Sequence, residues 1–414
     1  MLVNNRKRVV IAMIVAVACS GSFANGGWVI ERDDRGESPL LKDRKMIGLS
    51  PEQQQQQTLA AAYARALEQE KAKIRQHWPM AEVSNQSRWV AYSSDYQTRK
   101  TVDFEHNRIE ISLSGAYDNG RLDFVATQKA VQQELEATLS TTVAGALDQD
   151  AVHQALKQAQ IHLSQGVSDA AEVAAELVLS ELFLAKNPSP NDIHRVAAAL
   201  MQNASIRYQS LNAGLASIPI KTGKKLTYVI PLPDNRIRKK VQEYQGDVRD
   251  NAKRFSLSED VILAIIHTES HFNPVARSHV PAFGLMQIVP GTAGKDATRK
   301  LFKRSRLLSP NYLYNPKKNI EVGSAYLNVL YYDYLNDIKN PESRLYYTIA
   351  AYNAGASNVA QAFAGKPSFQ DAIETINAMT PQQVLERLVQ QAPHRETREY
   401  VKKVLKRRNY YAKL

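Results

Sequence analysis

The sequence predicts an α+β chain, with a mixed N-terminal domain followed by an all-α domain. Three observations carry this. At 414 residues the chain is too long for one compact core by the usual size scaling, so two globular parts with extensions are expected. The stretch from Trp89 to Gly115 alternates apolar and polar residues on either side of Glu105-His106-Asn107, the signature of strands and a turn. Beyond Pro231 and Pro233 the apolar residues recur at helical spacing to the C-terminus. Composition is that of a folded chain: 44% hydrophobic, 23% charged and a mean hydropathy of −0.39. A net charge of +12 favours anionic partners without choosing among them.

The first 24 residues read as an export signal. Arg6, Lys7 and Arg8 precede an apolar run from Val9 to Ala18, too short to span a bilayer, and small residues follow. Two processing sites stay open: ordinary cleavage after the Ser22-Phe23-Ala24 end, or lipoprotein processing before Cys19, with an outer-membrane anchor. Cys19 is the single cysteine, so the mature body holds no internal disulfide and no thiolate metal cluster. Export also argues against nucleic acid as partner.

Residues 25–80 are expected to be linker and helix. The glutamine run at 53–57 reads as low-complexity linker. Tyr63, Leu67, Ile74 and Trp78 then follow at roughly helical spacing. Residues 81–232 form the first domain. Its hairpin would bring Val102, Phe104, Ile109 and Ile111 onto shared faces. Long helices are expected over about 128–165 and 170–202, and a strand at Lys224–Pro231 leads out of the domain.

Residues 233–414 form the helical domain. Ser256 and Glu259 stand at capping-box spacing before Val261, Ile262, Ile265 and Ile266, the buried stripe of a helix that stops at Asn273-Pro274. Two more helices follow over about 320–337 and 343–365, the second interrupted near Asn353–Gly355. The chain ends in a basic helix, read first as a solvated face and second as an attraction for an acidic polymer or membrane surface.

Glu269 lies near the C-terminal end of its apolar helix. Burial and the negative helix end both disfavour its charged form, which suits a general acid; a solvated glutamate at a helix end is the plain alternative. Gly284 to Gln287, in "GLMQ", offer a tight bend and an amide that both donates and accepts. Tyr352, Asn353 and Gly355, in "AYNAG", offer a ring face, a hydroxyl and a helix break. Each has a purely structural alternative. His267 and His271 flank Glu269, but the order "HTESH" departs from the zinc motif HExxH, so no metal and no cofactor are expected.

Together and in order, "ESHFNPVARS", "GLMQIVPGTAG", "AYNAG" and "REYV" resemble the soluble-lytic-transglycosylase catalytic domain of peptidoglycan lyases, with its goose-type-lysozyme-like fold. The N-terminal half resembles that of the membrane-bound lytic murein transglycosylase C branch, above all at "YQTRKTVDFEHNRIEI". The resemblance implies a periplasmic enzyme acting on peptidoglycan glycan strands. It assigns Glu269 as catalytic acid and base. It assigns Ser278, Gln287, Tyr352, Asn353 and Tyr400 to the substrate groove. "SHVPAFG", with His279 and Pro281, departs from the family pattern, so the Ser278 loop has its own shape. A hydrolytic muramidase and a non-catalytic wall-binding scaffold are the alternatives, and endo- or exolytic cleavage stays open.

Overall fold

The computed structural model describes residues 51–114, 124–163, 175–210 and 224–414. The segment expected to be an export signal, Cys19 and the charged stretch after it lie outside the described residues. In chain order the described elements begin with α1 (Pro51–Arg75), β1 (Arg88–Tyr92), β2 (Thr98–Asp103) and β3 (Arg108–Ser114). Next come α2 (Phe124–Leu139), α3 (Val143–Asp148), α4 (Ala151–Leu163), a 3-10 turn (Ser180–Leu182) and α5 (Pro190–Met201). β4 (Ser205–Ser210) and β5 (Lys224–Pro231) complete the strands. The remaining named elements are helical: α6 (Arg236–Phe255), α7 (Glu259–Ser270), α8 (Ala293–Phe302), α9 (Pro310–Leu313) and α10 (Pro316–Asn328), the last extended by a π-helical turn (Val329–Tyr334). They end with α11 (Pro341–Ala354), α12 (Ala356–Ala364), α13 (Phe369–Asn377), α14 (Pro381–Gln391) and α15 (Arg395–Tyr411). The α+β class therefore holds.

The chain divides into two compact units. Among the described residues, the first comprises Gln55–Asp333 with Lys403–Leu414, and the second Tyr334–Lys402 with residues 51–54.

The first unit contains an antiparallel sheet of order β1-β2-β3-β5-β4. Val102 pairs directly with Ile109 and Ile109 with Ile230, while Ile111, two residues on, pairs with Tyr228, and all five are buried. Phe104, in the turn, is as buried as they are. α2 and α5 pack on each other and on β3 and β5, and Val131, Leu135 and Leu139 of α2 are wholly buried. The stretch from Trp89 reads in the sequence as two strands and a turn; the structure divides the first of them into β1 and β2, an antiparallel pair joined across Ser93–Gln97, and adds β4, which pairs with β5.

Two expected long helices are shorter. The segment 128–165 breaks at Ser140–Thr142, where Thr142 caps α3 by accepting from the Gly145 amide, and again at Asp150, which accepts from the His153 amide at the start of α4. Of 170–202, the described α-helical part is Pro190–Met201. Its start is fixed by a Ser189/Asp192 capping box with proline in the first turn. The glutamine run expected as linker belongs instead to α1, because glutamine is a good helix former and Pro51 is tolerated in the first turn.

Buried charge also shapes this unit. Arg236 at the start of α6 donates to Glu181 Oε1 (3.3 Å), Asn107 Oδ1 (2.9 Å) and the Phe104 carbonyl (3.0 Å). Lys240, one turn on, lies 3.3 Å from Glu181 Oε2 and 3.0 Å from Glu243 Oε2. An unpaired charge at such depth would cost several kcal/mol.

In the second unit α11, α12, α13 and α14 pack against one another. Tyr347, wholly buried, faces Phe363 and Phe369 and donates to the Ala356 carbonyl (2.8 Å). α11 ends at Gly355, whose φ of +81° makes the expected interruption and starts α12.

Candidate active site

α7 presents Glu269 on its last turn, 7% exposed. The helix buries Val261 through Ile266 as a continuous apolar run. Its N-terminus differs from expectation. The N-cap is Ser258, not Ser256, and Ser258 donates to Asp260 rather than capping a backbone amide. Ser256 is spent elsewhere: at φ 53° it is the left-handed residue that ends α6, its amide bonding back to the last α6 carbonyls.

The C-terminal end is more constrained. His271 and Phe272 both take positive φ, 52° and 62°, a conformation that costs non-glycine residues energy and persists only where the surroundings fix it. The surroundings are visible. The His271 amide donates to the His267 carbonyl (3.2 Å) and its own carbonyl accepts from Arg236 (3.4 Å). Phe272 is fully buried against His267. Arg407 reaches His271 Nε2 (3.4 Å), and the Tyr411 hydroxyl meets His267 Nδ1 (2.8 Å). Burial, reinforced by the Arg407 charge, pushes His267 down to about 2 and His271 to about 3, so both stay neutral. Two uncharged rings thus bracket Glu269 in sequence. Among the described residues no group of three or more His, Cys, Asp or Glu side chains could hold a metal ion.

From Asn273 the chain folds into a tight looped platform. Arg277 bridges Phe283, and Phe283 bridges Ile288. The Ser278 amide donates to the Ala282 carbonyl (3.2 Å), the Gly284 amide to the Ala276 carbonyl (2.9 Å) and the Ile288 amide to the Phe283 carbonyl (3.1 Å). The Ser278 hydroxyl donates to the Val280 carbonyl (2.6 Å) and accepts from the Val280 amide (3.2 Å). That small turn is the shape taken by the divergent "SHVPAFG", which leaves His279 exposed.

Gly284 turns at φ +77°. A Cβ there would lie 2.3 Å from both the Asn319 amide nitrogen and the Leu313 carbonyl oxygen. Asn319 of α10 clamps this turn: its Oδ1 accepts from the Met286 amide (2.7 Å), and its Nδ2 donates to the Phe283 (2.9 Å) and Leu313 (2.7 Å) carbonyls. Gln287, at φ 49°, donates from Nε2 to the Gly284 carbonyl (2.9 Å), and its buried Oε1 has no hydrogen-bond partner among the described residues. Such an orphaned acceptor is rare in native interiors.

Glu269, Ser278 and Gln287 lie in the first unit, and Tyr352, Asn353 and Tyr400 in the second. Asn353, on the last turn of α11, accepts from the Thr397 hydroxyl (2.8 Å). Tyr352 is half-buried beside it in sequence, and Tyr400 on α15 is buried. Sequence reading missed Asn319, Arg277 and Arg236 as supports of the platform. Asn319 stands in an ordinary helical stretch, and the two arginines read as surface charge. No helix among the described residues is long and apolar enough to cross a membrane.

Known proteins match this sequence. The Transglycosylase SLT domain family matches residues 247–374. Membrane-bound lytic murein transglycosylase C of Yersinia pestis (strain Pestoides F) is 33% identical over 333 residues, covering 79% of this chain and 83% of its own. The protein of the same name from Yersinia pseudotuberculosis serotype O:1b (strain IP 31758) matches to the same extent, with 33% identity over 333 residues. Among solved structures, an inactive mutant of lytic transglycosylase Slt from Pseudomonas aeruginosa is 30% identical, covering 43% of this chain and 27% of that one, with a TM-score of 0.31. The 70 kDa soluble lytic transglycosylase from Escherichia coli is 31% identical, covering 39% of this chain and 24% of that one, with a TM-score of 0.30. Those scores are too low to bear on the fold. The sequence match along most of both chains is decisive, and the chain belongs to the family of membrane-bound lytic murein transglycosylase C.

Proposed function

We propose that the chain is an exported peptidoglycan lyase that cleaves the bond between N-acetylmuramic acid and N-acetylglucosamine without water. The observation that carries this reading is the placement of Glu269. It is a carboxyl group on the last turn of an apolar helix, largely withdrawn from solvent; the motif resemblance assigns this position to the acid.

Ordinary glycoside hydrolysis uses two carboxylates, because one must attack or activate water. One suffices here if the substrate supplies the nucleophile. Glu269 gives its proton to the glycosidic oxygen as the bond from that oxygen to C1 breaks. The muramic N-acetyl group shares the positive charge developing at C1. Glu269, now a carboxylate, takes the proton from the C6 hydroxyl as O6 bonds to C1. The product ends in a 1,6-anhydro ring and Glu269 is again protonated. Atoms balance with no water consumed, and the nucleophile lies within the reacting sugar, where proximity is worth several kcal/mol.

Gln287 is assigned to the groove by its motif, and its buried Oε1 is an acceptor without a hydrogen-bond partner among the described residues. The roles of Ser278, Tyr352, Asn353 and Tyr400 rest on the match of their motifs to the family. The division into an N-terminal domain at 81–232 and a catalytic domain at 233–414 rests on the change after β5, where every named element becomes helical; the compact units do not follow it, since the first runs from Gln55 to Asp333 across residue 232. Periplasmic placement, with or without a lipid on Cys19, rests on the signal-like first residues; the relatives' name, membrane-bound, supports attachment to a membrane.

The direct test is Glu269→Gln, which keeps shape and removes the proton source. Cleavage of purified peptidoglycan should fall about 10²–10⁴-fold while the variant stays folded. Wild-type cleavage by the folded variant would reject Glu269 as catalyst. Binding without cleavage by either form would favour a wall-binding scaffold.

A further inference from the structure

Residues outside the matched SLT domain hold the platform that follows Glu269. Tyr63, on α1, is 2% exposed and donates its hydroxyl to the Ser278 carbonyl (2.5 Å). Its ring meets Phe283 edge-on, with centroids 6.2 Å apart, and Phe283 in turn meets Tyr314 at 5.5 Å. Burial pushes the Tyr63 hydroxyl up to about 12, so it stays a donor across the neutral range.

The next residue back is fixed as well. Arg277, 5% exposed, donates to Asp150 Oδ1 (2.7 Å) and to the Ser84 carbonyl (3.3 Å). Its backbone amide donates to the Asn85 carbonyl (3.4 Å). Asp150 is itself fixed, because the same Oδ1 receives the His153 amide at the start of α4. Further along, a Cβ on Gly291 would overlap the Gln56 side chain of α1, at 2.2 Å, so helix and loop are in close contact there too.

With its carbonyl fixed by Tyr63 and its hydroxyl committed to Val280, Ser278 has little freedom left. We infer that α1 acts as a strut on the substrate platform, with Tyr63 as a positioning residue for transglycosylation and the Arg277–Asp150 pair as its second fixture. This rests on the reading of Ser278 as part of the glycan groove. The strut would hold the loop in the geometry required at the transition state. A displacement of about 1 Å in such a loop can cost on the order of 10²-fold in rate.

The test compares the full mature chain with Tyr63→Phe, which keeps the ring and deletes the hydroxyl, and with Asp150→Asn, which keeps the acceptor at the α4 start but loses the charge facing Arg277. Two readouts are taken. The first is amide hydrogen exchange over residues 277–288, which needs no substrate. The second is kcat and KM on soluble peptidoglycan oligosaccharides. For Tyr63→Phe, faster exchange confined to that loop is expected, with kcat about ten-fold lower and KM within two-fold. Asp150→Asn should move both readouts in the same direction and by less. Unchanged exchange in both variants overturns the strut, whatever the activity. Unchanged kcat in a wild-type-active series overturns it as a positioning device, even if exchange or melting temperature shifts. Absence of cleavage by the wild-type chain overturns the enzymatic reading, and the strut falls with it.

Discussion

Gly284 and Asn319 should behave as one unit, and a double-mutant cycle measures this. Gly284→Ala places a Cβ at φ +77°, a conformation costing an L-residue about 1–2 kcal/mol. The new atom would also lie 2.3 Å from the Asn319 amide nitrogen and from the Leu313 carbonyl oxygen. Overpacking of this kind costs about 1–3 kcal/mol, so a total near 3 kcal/mol is expected. Asn319→Ala deletes three buried hydrogen bonds, to the Met286 amide and to the Phe283 and Leu313 carbonyls. At about 1 kcal/mol each this is again near 3 kcal/mol. The two losses should not add. Without the Asn319 side chain two of the three closest contacts vanish, and the Leu313 oxygen and the backbone strain are what is left. The double variant should therefore be more stable than the sum predicts by about 1–2 kcal/mol. Urea unfolding of the four proteins, followed by circular dichroism, gives the cycle. A Gly284→Ala variant within about 0.5 kcal/mol of wild type, or strict additivity, would refute the clamp; 0.5 kcal/mol is the scatter expected of unconnected surface sites.

Acid should destabilise the fold through His267 and His271. Their folded pKa values lie at about 2 and about 3, below the unfolded value of 6.5. Their contribution is thus complete above pH 6.5 and is lost as pH falls towards the folded values, by about 1.4 kcal/mol per pH unit for each histidine. Denaturant midpoints between pH 7 and 5 should show this slope, and His271→Asn should flatten it; a pH-independent wild type would contradict it. Cys19, if lipidated, should carry labelled palmitate into the membrane fraction in wild type and not in Cys19→Ala, whereas a soluble, unlabelled wild type would mean cleavage at the later site.

What the sequence made legible was local. α7 was readable because Val261, Ile262, Ile265 and Ile266 repeat at helical spacing, and the break at Gly355 because glycine punctuates a helix. The β2–β3 hairpin was readable from alternation around one turn. The rest depended on distant partners. Whether Ser256 or Ser258 caps α7 depends on backbone angles, and Ser256 was already committed to ending α6. Arg236, Lys240 and Arg277 carry charge and so read as surface, yet each is buried because Glu181 or Asp150 meets it from far along the chain. Five described helices open on Ser, Thr or Asn followed by proline, at Ser189, Ser309, Asn315, Asn340 and Thr380. That local signal is readable in the sequence and fixes where these helices start. Around the candidate site, the end of an apolar helix at Glu269 and the bend at Gly284 were legible as local structure. The clamp by Asn319 and the contact from Tyr63 were not, because each is made across dozens to hundreds of residues.

The central claim is that one carboxyl group serves twice and the substrate supplies the nucleophile. Mass spectrometry of the soluble products released from purified peptidoglycan by the wild-type chain tests it most directly. The account predicts muramic ends one water lighter than hydrolysis would leave and resistant to reduction, as 1,6-anhydro rings are. Reducing muramic ends at the full hydrolysed mass would contradict it.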